Sequence, residues 1–101
     1  MILLGTIEDV FTISSRGTVL IPVFSECLDP QLIFRVGDEI QVRDAGGMIL
    51  GTQIRGIEFL SREQTHRRPM NIGILLPKDT DGTALRRGLE IWLVRDDGRN
   101  D

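Results

Sequence analysis

Residues 7–19 read IEDVFTISSRGTV, and the fold turns on how this run is read. In its FTI segment, Phe11 and Ile13 alternate with Thr12, the period of a half-buried strand. Ser14, Ser15, Arg16 and Gly17 then make a turn, in which Gly17 can take the positive φ that other residues avoid. The chain restarts as TVLIPVFSE, a second strand. The run is therefore the bend of a β-hairpin whose first arm begins near residue 3. Pro22 has no N–H to give a ladder, so it belongs at a sheet edge or opposite a bulge.

Working outward, the same signals repeat. CLDPQ is a connecting loop with Asp29 and Pro30 starting a turn. LIFRVGDEIQV holds a short strand, a turn at Val36, Gly37 and Asp38, and another strand with Ile40 and Val42 on one face and Glu39, Gln41 and Arg43 on the other. Ala45, Gly46 and Gly47 make a tight connection. MILGTQIRGIEFL is a long strand interrupted by Gly51 and Gly56, glycines that suit barrel corners or close backbone approach. SREQTHRRP is a polar loop, MNIGILLP a buried strand ended by Pro77, and KDTDGTALRRG a loop with room for one helical turn over residues 83–87. LEIWLV closes the series with Leu89, Ile91 and Leu93 on one face. About seven strands with no long helix predict a single all-β domain over residues 1–95, a closed or nearly closed antiparallel β-barrel, with a β-sandwich as the competing layout. RDDGRND supplies a charged tail, residues 96–101, expected to fray.

Composition narrows the function. The 101 residues are 41% hydrophobic, enough for one core without a staple. A net charge of −3 gives no global draw toward nucleic acid. Eleven of the twelve basic residues are Arg, the exception being Lys78. The lone Cys27 rules out a disulfide within the chain and reads as a small, at least half-buried thiol. No apolar run reaches the ~20 residues of a helical membrane span, and the start of the chain lacks a basic leader, so a cytoplasmic protein without membrane association is expected. No nucleophile–base pair or metal-ligand spacing stands out, so the chain reads as non-enzymatic, with no cofactor and no metal. Glu8 and Asp9 are adjacent and would point to opposite faces of a regular strand. Asp79, Thr80, Asp81 and Gly82 faintly match a calcium loop, but the glycine is misplaced and the segment reads as a turn.

IEDVFTISSRGTV resembles the start of the second, β-barrel domain of elongation factor Tu and related translational GTPases. Four more landmarks follow in the family's order: VGDEI at 36–40, GIEFL at 56–60, MNIGILL at 70–76 and LRRG at 85–88. The chain departs from the family at LIPVFSECLDPQ, and it carries no G-x-x-x-x-G-K-[ST] phosphate loop. The resemblance therefore implies a barrel of the translation-factor domain 2 type standing alone, without GTP binding by this chain.

In that family the barrel helps hold the 3′ end of aminoacyl-tRNA. The resemblance places the matching pocket on Glu8, Asp9, Val10, Arg16, Glu58, Phe59 and Asn71. Phe59 or Val10 would offer a face for a base, Glu58 an acceptor for an amine or 2′-OH, and Arg16 a bidentate grip on phosphate. The plain structural reading makes Phe59 a core residue and Arg16 a surface charge. Arg62, His66, Arg67 and Arg68 form a basic cluster in the polar loop. The expected function is a binding module with a protein partner or a regulatory role. An RNA-associated module and a decoy of the elongation factor are the alternatives, and an exposed apolar patch over residues 20–24 would favour a protein partner.

Overall fold

The computed structural model describes residues 1–59 and 72–95. Seven strands make one antiparallel sheet: β1 (Ile2–Ile13), β2 (Gly17–Phe24), β3 (Glu39–Asp44), β4 (Gly47–Gln53), β5 (Gly56–Phe59), β6 (Ile72–Leu75) and β7 (Glu90–Val94). Their order across the sheet is β4-β3-β7-β1-β2-β6-β5. The described residues contain no helix. The all-β expectation holds, and closure does not: no ladder joins β4 to β5, so the sheet is not closed into a barrel.

Those two edge strands are nonetheless consecutive in the chain, joined by Ile54 and Arg55 alone. Ile54 donates to Asp38 O and accepts from Gly37 N, both at 2.8 Å, while Arg55 N donates to Leu75 O at 2.8 Å. One corner residue thus bonds to the approach of β3 and the next to the end of β6. The sheet is bent through this corner, with Ile54 buried beneath it at 1% exposure.

The core is the inner face of the bent sheet. Ile40 and Val42 from β3, Ile91 and Leu93 from β7, Leu20 from β2 and Ile74 from β6 are all fully buried, and they belong to one cluster with Leu4, Ile7 and Ile54. The alternation in EIQVRD and LEIWLV therefore marks the core side. Burying each such side chain contributes about 1.5–3 kcal/mol.

β1 breaks the rule of two. Its inward side chains are Ile2, Leu4, Ile7 and Val10, the last three spaced three apart. Two bulges account for this. Against β7 the register passes from Leu3↔Trp92 to Gly5↔Ile91, leaving Leu4 as the extra residue. Against β2 it passes from Ile7↔Pro22 to Asp9↔Ile21, leaving Glu8 as the extra residue. Each bulge advances the chain by one residue without turning the next side chain over, and each bends the strand. Pro22 sits opposite the second bulge, beyond the Val19 and Leu20 that pair with β6, so its missing N–H breaks no ladder.

Four expectations are corrected. LIFR forms no strand; it is part of the loop before β3, where Asp38 Oδ2 accepts from Arg35 N at 2.9 Å. The long strand of residues 48–60 is divided at Ile54 and Arg55 into β4 and β5. Residues 83–87 make no helical turn: Leu85 N donates to Gly82 O and Leu89 N to Arg86 O, two successive turns. Cys27 lies exposed in the loop after β2 rather than half-buried.

Candidate functional site

The second bulge in β1 lines a hollow beside the turn that precedes β7. Its extra residue, Glu8, breaks the alternation, so Glu8 and Asp9 do not part to opposite faces; both line the same cleft of about 800 Å³. Val10, Phe11, Ile21 and Leu85 give the cleft its apolar lining, and Arg86 and Arg87 stand in the turn before β7. That turn is tied to β1 through the backbone: Gly88 N donates to Ile7 O at 2.8 Å and Ile7 N to Leu89 O at 2.8 Å. The cleft therefore has acids from the β1 bulge, arginines from the turn, and an apolar lining. Arg86 also lies 3.8 Å from Asp44 in a solvent-exposed pair, worth little on its own.

A second hollow of about 620 Å³ lies at the hairpin turn and is lined by Ser15, Arg16, Arg55, Gly56, Leu75, Pro77, Lys78 and Asp79. Arg16 reaches from the turn to Glu58 on β5 and grips it with two parallel bonds. Arg16 Nη1 donates to Oε1 at 3.1 Å, and Nη2 meets Oε2. A bidentate guanidinium–carboxylate pair is directional, and it ties the hairpin tip to the edge strand.

Of the seven residues placed in one pocket by resemblance, the six that are described do not line a single hollow. Glu8, Asp9 and Val10 share the β1 cleft. Arg16 and Glu58, 42 residues apart, meet each other. Phe59 is 81% exposed, which overturns its reading as core; strand alternation sets it on the face opposite Glu58. Asn71 and the basic cluster Arg62, His66, Arg67 and Arg68 lie outside the described residues, as does the charged tail. The stretch over residues 20–24 shows no exposed apolar patch. Leu20 is fully buried and Ile21 6% exposed, and Phe24 is tilted against Phe34 with ring centroids 5.9 Å apart.

Arg86 and Arg87 were read only as part of a family landmark, and nothing in their spacing pointed to Glu8 or Asp9. The signal was topological: LRRG precedes the strand that pairs with β1. Arg55 lies just before Gly56, in a segment whose interruption the sequence marks but whose arginine carries no signal of a site. The DTDG segment is a capped turn, in which Asp81 Oδ1 accepts from Thr83 N at 3.1 Å and from the Thr83 hydroxyl at 2.8 Å. The backbone bond first, and the hydroxyl second, hold the Asp81 carboxyl below the ordinary carboxylate range. No described helix is long and apolar enough to cross a membrane. In comparisons with known protein families, curated proteins and solved structures, the chain matches none.

Proposed function

We propose that this chain is a non-enzymatic binding module, of the kind the second domain of the translational GTPases represents, and that it takes a protein partner in the cleft beside the β1 bulge. The observation that carries this reading is the make-up of that cleft. Its volume of about 800 Å³ falls in the range of ligand-binding pockets, and it combines Val10, Phe11, Ile21 and Leu85 with carboxylates from β1 and arginines from the turn before β7. A few charged groups around an apolar lining suit a peptide segment with an apolar anchor and flanking charges, the anchor supplying affinity and the charges register.

The test is selection of displayed peptides on the immobilised protein, followed by affinity measurement on an Arg86→Glu/Arg87→Glu variant. Peptides with an apolar anchor next to acidic residues are expected, losing at least about tenfold on charge reversal, a loss of about 1.4 kcal/mol. Selection that yields no peptide sensitive to the reversal overturns the reading.

The RNA-associated reading keeps one specific support, the exposed Phe59, whose ring is open for a base to stack on. Titration with a short RNA ending in CCA, followed by residue-resolved amide NMR, separates the two. Salt-sensitive shifts at Arg16, Glu58 and Phe59, lost in Phe59→Ala, would replace the protein reading with the RNA one.

A further inference from the structure

Three cations from three distant parts of the sequence line the hollow at the hairpin tip: Arg16 from the β1–β2 turn, Arg55 from the β4–β5 corner and Lys78 from the turn after β6. Their backbones are laced together. Arg55 N donates to Leu75 O at 2.8 Å, and Leu76 N donates to Thr18 O at 2.9 Å. Gly17 completes the arrangement. At φ +126°, its missing Cβ would stand 3.0 Å from Leu76 O and 3.5 Å from Lys78 Cα, so only glycine lets the segment carrying Lys78 lie this close to Arg16. The cations are thus brought together by the fold.

Their charges are only partly answered. Glu58 takes two of the five N–H groups of Arg16 and leaves Nε–H and one hydrogen on each Nη. Among the described residues, the side chains of Arg55 and Lys78 make no hydrogen bond or ion pair. Asp79 also lines the hollow, yet it forms no ion pair with them. Glu58 holds the Arg16 guanidinium in one orientation, which lowers the ordering cost of binding an anion.

We propose that this hollow binds a phosphate monoester, with Arg16, Arg55 and Lys78 as its donors. A monoester carries nearly two negative charges and three acceptor oxygens at neutral pH, matched to three cations lining one hollow. A polynucleotide fits less well, because it calls for a track of cations, and the whole chain has a net charge of −3. The hollow shares no lining residue with the β1 cleft, so the proposal does not depend on the protein-partner reading.

The experiment is residue-resolved amide NMR on the whole chain, titrated with inorganic phosphate against sodium chloride at matched ionic strength. Saturable shifts at Arg16, Arg55, Gly56 and Lys78 are expected. They should strengthen from pH 5.5 to 7.5 as the second phosphate proton, with a pKa of about 6, is lost. Arg55→Gln and Lys78→Gln should each weaken binding about tenfold, while Lys78→Arg retains it; unchanged spectra elsewhere show that the variants fold. Glucose 6-phosphate and a blocked phosphoserine peptide then identify the source: the tighter of the two marks a small phosphorylated molecule or a phosphorylated side chain. Shifts no larger than those from chloride overturn the proposal. So does a CCA-ending RNA that moves these same amides at lower concentration than inorganic phosphate.

Discussion

At the scale of the residue, Gly5 is the least replaceable position in the described sheet. It faces inward opposite Ile91, and a Cβ there would stand 1.9 Å from Val23 O, a backbone atom that cannot step aside. Gly5→Ala should cost about 3 kcal/mol or more, read as a lower urea midpoint at unchanged slope. The Arg16–Glu58 pair is the opposite case. Its side chains are 50% and 20% exposed, so water screens it despite its good geometry. A double-mutant cycle with Arg16→Ala and Glu58→Ala should give a coupling of about 0.5–1 kcal/mol that shrinks in 1 M salt. Asp81 supplies a pH dependence of known sign. Its folded pKa is lowered, so its favourable contribution is present above the ordinary carboxylate range and is lost as pH falls through the folded value. In Thr83→Ala the midpoint of Asp81, followed by carboxyl NMR, should rise only part of the way, because the larger cause, the backbone N–H, survives.

At the scale of the element, the two bulges of β1 make a prediction about length rather than chemistry. Glu8 is an extra residue in the ladder: without it, Ile7, Asp9 and Val10 still fall in, out and in. Deleting Glu8 should leave a cooperatively unfolding protein that has lost the shape of its cleft. Deleting Thr6, which pairs with Val23 on one side and Glu90 on the other, forces a slip in both ladders and should abolish cooperative unfolding. Circular dichroism with urea melts distinguishes the two. The sequence carried the elements wherever alternation and turn residues agreed, as in EIQV, LEIWLV and the SSRG turn. It misled where alternation arose without a ladder. Leu32 and Phe34 are half-buried around an exposed Ile33, the pattern of a strand, because a loop is draped over the core. Between β4 and β5 it marked the break through Gly56, one residue beyond the corner at Ile54 and Arg55, but Gly51, which it marked equally, lies within β4. Bulges leave no local signature, so Glu8 and Asp9 read as pointing apart. The Arg16–Glu58 pair was half legible: both residues were marked for one pocket by resemblance, but that they grip each other depends on a contact spanning 42 positions.

At the scale of the whole molecule, stability should be graded across the sheet. β7, β1 and β2 are central and paired on both sides, whereas β4 and β5 are its edges. Amide exchange should therefore be slowest at positions such as Thr6, Leu20 and Ile91 and fastest at the outward-facing amides of β4 and β5, by two or more orders of magnitude in protection. Uniform protection across all seven strands would instead mean that β4 and β5 close on each other in solution. The pairings also join residues far apart in the chain, with β1 on β7 and β2 on β6, so folding should fall in the millisecond-to-second range of all-β domains.

The position of β7 has a further consequence, for the order of events during synthesis. The last described strand lies in the middle of the sheet, between β3 and β1. Until it has been made, the β1–β2 hairpin and the β3–β4 hairpin have no ladder in common, and the inward faces of both wait uncovered. Before β7 pairs, the two hairpins are joined only the long way round, through β6, β5 and the corner at Ile54 and Arg55, and a single five-residue segment, Glu90–Val94, fills the gap between β1 and β3. A chain cut short before residue 90 would leave one edge of β1 and one edge of β3 bare to proteases and chaperones, and supplying those five residues covers both.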